Sequence, residues 1–221
     1  MLSFTNDMRV ILIMIASRLV MLRRLFDSTD DAARRLVANE ASKLYIPLAH
    51  KLGFYKLKSE MEDLALRYTE TEIYAELSRK LEETAASRED YIASFIKPIE
   101  KKLKTLPHLK YRIKGRTKSI NSIWQKMKKQ QRPFEQIYDL FAIRIIIDSE
   151  PQNEKSECWH VYSMIADMYT PNPHRLRDWL SVPKSNGYES LHTTVMGPEG
   201  RWVEVQIRTE RMDAVAEHGL A

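Results

Sequence analysis

The sequence predicts an α+β protein in which an all-helical first half precedes a mixed β-sheet flanked by helices. Two observations lead to this fold class. From residue 8 to about residue 104, apolar side chains recur at helical spacing and glycine is nearly absent, whereas strand-like apolar runs appear only after Pro107. A chain of 221 residues is long enough to bury a core, either as one large domain or as two small ones.

The composition limits the function classes. Hydrophobic residues make up 43% and charged residues 29% of the chain, which is typical of a globular protein. The net charge of +5 favours anionic partners such as nucleotides, nucleic acid or an acidic surface. Cys158 is the single cysteine, which excludes an internal disulfide and predicts a buried free thiol in a reducing compartment. The six histidines lack metal-binding spacing, so we expect no zinc site.

The N-terminal apolar run VILIMIA, at residues 10–16, resembles the core of a signal peptide but is too short to span a membrane. Its apolar pattern continues past Arg18 to Arg23 and Arg24, and no convincing small-residue cleavage site follows. We therefore interpret this segment as a buried helix and expect a cytoplasmic protein.

Helices also account for the rest of the first half. A start signal at residues 28–31 and a stop signal at Gly53 bound one helical segment, which we expect Pro47 to bend or divide. The segments YKLKSEMEDLALRY and TEIYAELSRKLEETAASREDYIASFIKPIEKKLK continue the helical pattern to Lys104.

Strands and helices alternate in the second half. The run KYRIKG (110–115) alternates like a strand, and LFAIRIIID (140–148) is typical of a strand buried on both faces apart from Arg144. Helices are predicted at 119–130 and 158–169. The segments SLHTTVMG and RWVEVQIRT read as two strands, and the GPEG between them predicts a hairpin.

A basic segment opens this second half, because residues 101–132 contain twelve Lys or Arg and no Asp or Glu. Such a run is commonly a solvated helix face, but here the spacing adds information. On the predicted helix, a polar row that recurs every four residues lies on a different face from the apolar stripe. The row is Lys118, Ser122 and Lys126, and the stripe is Ile120, Ile123, Trp124 and Met127.

The turn before this helix adds a second cationic feature. Gly115 and Arg116 lie just ahead of the helix start, where free backbone N–H groups and the helix dipole favour a phosphate. The turn and the helix together fit an oligophosphate cradle, and they fit the backbone of a nucleic acid about equally well.

Two carboxylates are expected on strands. Asp139 directly precedes the buried strand, and the alternation in RWVEVQIRT points Glu204 away from the apolar side chains of its strand, on the same side as Gln206 and Arg208. The ordinary explanation is a half-exposed strand with a polar outer face. Two strand-borne carboxylates near this much positive charge also suit a Mg²⁺ held between protein and phosphate oxygens.

The stretch SVPKSNGYESLHTT, at residues 181–194, carries more chemistry than a connector requires. Tyr188 is able to stack on a base, although an isolated tyrosine is more often part of a core. His192 either donates to a phosphate or fills a structural position in its strand. Other side chains suited to phosphates or polar base edges are Lys184, Asn186, Arg175 and Arg177. Taken together with the basic and acidic features, this stretch indicates a nucleotide site.

Four segments of the second half resemble, in the same order, the synthetase domain of the RelA/SpoT family. They are GRTKSINSIWQKM, IYDLFAIRIII, RLRDWLSVPKSNGYESLHTTVMGPEG and VEVQIRTERMDAVAEHGLA. EASKLYIPLAHKLGFYKLKSEMEDLALRY resembles the helical segment that links hydrolase and synthetase in long members. The resemblance implies a remnant of a degenerate hydrolase domain at 1–27, a helical linker at 28–104 and a C-terminally truncated synthetase domain at 105–221.

The resemblance also implies a fold and an activity. Members have a nucleotidyltransferase-like fold and serve the stringent response by a Mg²⁺-dependent reaction. They transfer the β,γ-diphosphate of ATP to the 3′-hydroxyl of GDP or GTP, which yields (p)ppGpp and AMP. The substrates are therefore expected to be ATP and GDP or GTP, and the full-length protein is expected to contact the ribosome or tRNA.

Site roles follow residue by residue from the same resemblance. Asp139 matches the aspartate that binds Mg²⁺, and Glu204 matches the glutamate that contacts the metal and draws the proton from the acceptor hydroxyl. Tyr188 matches the tyrosine that stacks on guanine, while Arg116 and Arg144 match arginines that hold ATP. The phosphate-binding helix face of the family is matched by Lys118, Ser122 and Lys126. Its GDP or GTP site is matched by Lys184, Asn186, His192, Gln206 and Arg208, to which we add Arg175 and Arg177 for their charge. Gly115 matches a glycine at which the backbone comes close to the site.

The sequence departs from the family at its N-terminus. Residues 7–25 resemble the end of the hydrolase domain, but Ser17 replaces an aspartate that helps bind the hydrolase metal and Val20 replaces a histidine. We therefore expect no hydrolase activity, and we expect the chain to be a fragment of a longer protein. The apolar residues 10–22 would then lack their usual cover, which would promote aggregation or an oligomer.

Two alternatives stay open. One is a catalytically silent RNA- or ribosome-binding module that uses residues 101–132, for which Asp139 and Glu204 would not matter. The other is a different nucleotidyltransferase that releases pyrophosphate instead of AMP. The basic RLRD at 175–178 leaves the choice between GDP and GTP open.

Overall fold

The helical half forms where the sequence predicts it. The computed structural model describes residues 8–137 and 139–218, and its helices in this half are α1 Met8–Arg24, α2 Asp31–Glu40, α3 Ile46–Lys51, α4 Tyr55–Thr69, α5 Thr71–Glu83 and α6 Ala85–Leu103. Asp30 caps α2 by accepting a hydrogen bond from the backbone N–H of Ala33. A π-helical turn at Ala41–Tyr45 divides the segment ahead of Pro47, and Gly53, with a φ of 81°, follows the end of α3.

Helix α1 is buried on one face. Ile15, Leu19 and Leu22 pack in an apolar cluster with residues of α2 and α4, whereas Ile13 is 68% exposed. The prediction of a buried helix is therefore right for one face, and the exposed apolar surface expected at residues 10–22 is confined to the other. Among the described residues, no helix is long and apolar enough to cross a membrane.

The second half is built on a mixed β-sheet. Its described elements are β1 Lys110–Thr117, α7 Ile120–Gln130, β2 Phe141–Asp148, α8 Glu154–Met168, β3 Arg177–Asp178, β4 Leu191–Met196, β5 Trp202–Thr209 and α9 Glu210–His218. The strand order is β1-β2-β5-β4-β3. Strand β1 pairs antiparallel with β2, β2 pairs parallel with β5, and β4 and β5 form the predicted antiparallel hairpin. The α+β fold class predicted from the sequence is confirmed.

The main core lies against one face of this sheet. Alternate residues of β2 and β5 are fully buried in a cluster that includes side chains of α6 and α8; they are Ile143, Ile145, Ile147, Val203, Val205 and Ile207. Burial of each such aliphatic side chain stabilises the fold by roughly 1.5–3 kcal/mol. Because side chains alternate along a strand, the polar residues of β5 are left on the opposite face.

Cys158 lies on α8 within this core and has no exposed surface. Burial raises the pKa of its thiol to about 12, with smaller contributions from nearby glutamates. Because the thiolate is the reactive form, we expect iodoacetamide at pH 8 to alkylate Cys158 at least about a hundredfold more slowly in the folded chain than in urea. Mass spectrometry measures both rates, and rapid labelling of the folded chain would contradict the buried position.

Candidate active site

The polar face of the sheet collects charged side chains that are far apart in the sequence. Arg144 of β2 pairs with Gln206 of β5, Ala142 pairs with Glu204, and His192 of β4 also lies opposite Gln206. Residues that pair directly point to the same side of a sheet. The register therefore places the side chains of Arg144, Glu204, Gln206 and His192 on one face.

Asp139 and Glu204 converge on one lysine. Lys118 Nζ donates to Glu204 Oε2 at 2.9 Å and to Asp139 Oδ2 at 3.2 Å. Lys126 of α7 forms a further ion pair with Asp139. The two carboxylates that the sequence singled out therefore lie next to each other, and two of the predicted phosphate-binding lysines neutralise them.

The surroundings of Glu204 keep it ionised. Gln206 Nε2 donates to Glu204 Oε1 at 2.8 Å, and His192 Nδ1 lies 3.5 Å from the same oxygen. Burial alone would raise the pKa of Glu204, but the hydrogen bond from His192 and the charge of Lys118 outweigh it and hold the pKa below the usual range of a glutamate. Burial of Lys118 would lower its pKa, yet Glu204 and Asp139 raise it. A stable anion of this kind is suited to binding a cation.

His192 connects this carboxylate to Tyr188. The Tyr188 hydroxyl and His192 Nε2 are 2.8 Å apart. Burial lowers the pKa of His192, although the hydrogen bond to Glu204 opposes the shift. A neutral imidazole satisfies both contacts when Nδ1 donates to Glu204 and Nε2 accepts from the tyrosine. This geometry gives His192 an orienting position between the two predicted site residues.

Tyr188 lies within a cluster of aromatic rings. It is 7% exposed, and its ring meets Tyr55 at a centroid distance of 5.4 Å and Trp179 at 5.8 Å. Lys184 Nζ lies 4.7 Å from the Tyr188 ring centroid and 4.1 Å from that of Trp179, and burial lowers the pKa of this lysine. A base that stacks on this face of Tyr188 must displace the ammonium of Lys184.

A cavity of about 500 Å³ lies beside the cluster, which is large enough for a nucleotide-sized ligand. Its lining includes eight of the residues predicted from the sequence: Gly115, Arg116, Ser122, Arg144, Lys184, Tyr188, Gln206 and Arg208. The carboxylate pair adjoins the cavity through Gln206, which is hydrogen-bonded to Glu204. The many lysines and arginines in the lining favour an anion.

Helix α9 supplies the counterions for two of these arginines. Arg208 Nε donates to Asp213 Oδ1 at 2.9 Å, and Arg144 Nη1 donates to Glu217 Oε1 at 2.7 Å and to Asp213 Oδ1 at 3.3 Å. The expectation that Arg144 escapes burial is wrong, because this residue is 7% exposed beneath α9. Two cavity-lining arginines are thus held in place by carboxylates.

The start of α7 is not the open phosphate site that the sequence predicts. Asp63 of α4 accepts hydrogen bonds from the backbone N–H groups of Asn121 at 2.8 Å and Ile120 at 3.3 Å. Ser119 Oγ accepts another from the backbone N–H of Ser122, at 3.2 Å. A carboxylate from the helical half therefore occupies the position predicted for a phosphate. Ser122 still lines the cavity.

The turn predicted at Gly115 and Arg116 is wrong, because both residues belong to strand β1 and pair with β2. Gly115 lines the cavity, but a Cβ at this position would lie 2.8 Å from Ile92 Cγ2, so the close approach of α6 also explains the glycine. Burial and the charge of Arg144 lower the pKa of the neighbouring Arg116. Burial is the larger cause of this pKa shift, and the positive charge on this side of the cavity adds to it.

Three predicted residues neither line the cavity nor belong to the cluster of Lys118, Lys126, Asp139, His192 and Glu204 beside it. Asn186 Nδ2 donates to Tyr55 Oη at 2.8 Å and to the carbonyl oxygen of His50 at 3.3 Å. Arg177 is exposed and donates to backbone carbonyl oxygens of its own loop, and Arg175 is exposed beside it. Asn186 is thus engaged with the helical half, and the nucleotide roles of the two arginines stay predictions.

Sequence reasoning missed the contributions of α4 and α9. Glu210, Asp213 and Glu217 recur at helical spacing after a strand that bears an arginine, a signal that indicates an acidic helix face. Tyr55 and Asp63 offer no comparable signal, because their partners Asn186 and Asn121 are 131 and 58 residues away.

Comparisons with known proteins match both halves. Residues 115–221 match the family described as "Region found in RelA / SpoT proteins", and residues 1–55 match an "HD domain". The "GTP pyrophosphokinase" of Photobacterium angustum is 37% identical over 221 residues, which cover 100% of this chain and 29% of the relative. The "Bifunctional (p)ppGpp synthase/hydrolase SpoT" of Escherichia coli is 36% identical over 220 residues, which cover 100% of this chain and 30% of the relative.

The chain thus spans under a third of the length of these curated relatives. Among solved structures, the small alarmone synthetase 1 from Bacillus subtilis bound to its product pppGpp is 22% identical, with a TM-score of 0.48, over 64% of this chain and 80% of that chain. The domain boundaries at residues 27 and 104 stay predictions. From its matched segments and its relatives, the chain belongs to the RelA/SpoT family.

Proposed function

We propose that this chain carries a (p)ppGpp synthetase, which transfers the β,γ-diphosphate of ATP to the 3′-hydroxyl of GDP or GTP and releases AMP. The observation that carries the proposal is the convergence of Asp139 and Glu204 on Lys118 beside a cationic cavity. Family membership supports the same reaction, since the relatives include proteins named GTP pyrophosphokinase.

Mg²⁺ is the proposed cofactor, and the donor set fits it. Magnesium prefers oxygen ligands and commonly binds through one or two carboxylates while phosphates supply other ligands. Asp139 and Glu204 provide two carboxylates, and the ammonium of Lys118 between them marks a position where positive charge is stable. When bound, Mg²⁺ neutralises phosphate oxygens and orients the transferred group.

The basic side chains are proposed to position the donor phosphates. Diphosphoryl transfer requires little covalent participation from a protein, so positioning and charge neutralisation dominate. Arg116 and Ser122 line the cavity directly, and Lys118 and Lys126 border it through their ion pairs. Phosphate oxygens would compete with the carboxylates for these two lysines.

Glu204 is the proposed acceptor of the proton from the ribose hydroxyl. In the observed arrangement it is a weak base, because the contacts with His192 and Lys118 more than offset the effect of burial on its pKa. Transfer of Lys118 to a phosphate would free Glu204 Oε2, which accepts from Lys118 in the observed arrangement, to accept from the ribose hydroxyl. This exchange links binding of the donor to activation of the acceptor.

Tyr188→Ala is expected to weaken GDP binding by about 5- to 150-fold, because stacking of a base on an aromatic ring is worth roughly 1–3 kcal/mol. Tyr188→Phe keeps the ring and should retain most of the affinity. Calorimetric titration with GDP, and with a non-hydrolysable ATP analogue as the internal control, separates the two substrates. Equal losses for both nucleotides would argue against a stacking role.

We propose that the chain does not hydrolyse (p)ppGpp, although a relative from Vibrio cholerae is named a pyrophosphohydrolase. Ser17 and Val20, both exposed on α1, stand where the family resemblance expects an aspartate and a histidine. Neither supplies the carboxylate or imidazole that a hydrolase metal would use. Release of pyrophosphate from ppGpp by the purified chain would refute this proposal.

The deciding experiment is a product analysis. The chain is incubated with Mg²⁺, ATP and GDP, and the nucleotides are separated by anion exchange. We expect AMP in equal amount with a guanosine that bears four phosphates, and neither product from Glu204→Gln. Pyrophosphate in place of AMP would indicate a different nucleotidyltransferase. Salt-dependent RNA binding without nucleotide binding, unaffected by changes at Asp139 or Glu204, would favour the RNA-binding module.

A further inference from the structure

Helix α4 belongs to the helical half but forms one wall of the nucleotide cavity. Tyr55, Lys56 and Ser59, at the start of α4, belong to the lining. Asp63 lies two turns further along, about 12 Å from Tyr55 at 1.5 Å per residue. Tyr55 and Asp63 contact different parts of the second half of the chain.

The Tyr55 end holds the loop predicted to bind the acceptor nucleotide. Tyr55 Oη accepts a hydrogen bond from Asn186 Nδ2 at 2.8 Å, and its ring packs edge-on against Tyr188. Lys184 Nζ lies 5.7 Å from the centroid of the same ring. One side chain of α4 therefore contacts all three predicted acceptor-site residues of loop 184–188.

The Asp63 end holds the helix predicted to bind the donor phosphates. Its carboxylate accepts from the backbone N–H groups of Ile120 and Asn121, at the first turn of α7. This helix carries Ser122, which lines the cavity, and Lys126, which is paired with Asp139. Burial raises the pKa of Asp63 while the hydrogen bonds from α7 oppose the shift, so the cap is made by a partly desolvated carboxylate.

We infer that Tyr55 and Asp63 are positioning residues of the synthetase, Tyr55 for the acceptor loop and Asp63 for the donor helix. The inference rests on the proposed function. Neither side chain touches the reacting carboxylates, so each acts through the element that it holds. The placement of α4 therefore sets the geometry of both substrates, and loss of either side chain affects one substrate more than the other.

Steady-state kinetics of the full chain, with ATP and GDP varied separately, test this inference. Tyr55→Leu is expected to raise the KM for GDP about tenfold and the KM for ATP less than about twofold. Asp63→Ala is expected to raise the KM for ATP about tenfold and the KM for GDP less than about twofold, an effect of the size expected when a helix cap is lost. Tyr55→Phe and Asp63→Asn should recover part of each loss. Glu60→Gln is the matched control, because Glu60 lies on the same helix and pairs with Arg23 at 2.6 Å.

The pattern of losses decides the outcome. Equal increases of both KM values, or no increase in either variant, would overturn the inference, since general loosening of the fold has no preference between substrates. If the unmodified chain binds both nucleotides but forms no AMP, the proposed function fails. The inference is then tested by dissociation constants, which must rise mainly for GDP in Tyr55→Leu and mainly for ATP in Asp63→Ala. Absence of any nucleotide binding would overturn both.

Hydrogen–deuterium exchange provides a readout that does not depend on activity. Tyr55→Leu is expected to speed exchange in loop 184–188, and Asp63→Ala to speed it in the first turn of α7, with little crossover. Exchange that rises equally across both segments in either variant would indicate a purely structural role and would contradict the inference.

Discussion

Replacement of Glu204 by glutamine is expected to lower kcat for diphosphate transfer by about a thousandfold or more, while GDP binding changes by no more than a few fold. The substitution keeps the size of the side chain. It removes the charge that accepts a hydrogen bond from Lys118 at 2.9 Å and the oxygen proposed to take the proton of the ribose hydroxyl. Single-turnover formation of AMP measures the chemical step, and calorimetry with GDP measures binding.

A matched variant keeps this result interpretable. Glu199 lies in the hairpin between β4 and β5, where its side chain is 61% exposed and pairs with Arg201. Glu199→Gln should therefore leave kcat unchanged, whereas Asp139→Asn should cause a loss like that of Glu204→Gln. Retention of more than a tenth of the activity by Glu204→Gln would mean that the carboxylate is neither the base nor a cation ligand.

Substitution of Asp213 by alanine is expected to lower the free energy of unfolding by about 3–5 kcal/mol, because it leaves buried positive charge without its partner. Arg208 is 1% exposed and Arg144 is 7% exposed, and both donate to Asp213 Oδ1. Glu217 replaces this partner incompletely, since it lies 3.5 Å from Arg208. Urea denaturation followed by circular dichroism measures the change.

The control for this prediction lies on the same helix. Glu210 pairs with Arg112 at the surface, where the two side chains are 48% and 43% exposed. Exposed ion pairs contribute about 0–1 kcal/mol, so Glu210→Gln should change the stability little. A loss below about 1 kcal/mol for Asp213→Ala would contradict the assignment of a buried charge network beneath α9.

The elements of the fold were predictable because each depends on a local pattern. The alternation of Val203, Val205 and Ile207 defines the buried face of β5 without knowledge of its neighbours. The cap at Asp30 is likewise a local signal. Arg144 was misjudged because its burial depends on α9, which begins more than sixty residues later in the chain.

The candidate site was predictable in its residues but less so in its contacts. Resemblance and charge singled out Asp139, Glu204 and Lys118, yet their convergence depends on the pairing of β2 with β5. The expectation of free backbone N–H groups at the start of α7 was wrong, because the rule applies to a helix whose first N–H groups have no partner in the protein. Asp63, supplied from another part of the chain, satisfies those groups instead.

The parallel pairing of β2 with β5 also matters while the protein is being made. About 60 residues separate the paired positions, so at 5–20 residues per second β2 waits roughly 3–12 s for its partner to be translated. During that interval the nascent strand FAIRIIID presents an unpaired, strongly apolar edge of the kind that aggregates. Arg144 places a charge in the middle of this strand, and a charge within an apolar run is expected to oppose its aggregation until α9 is available to bury it.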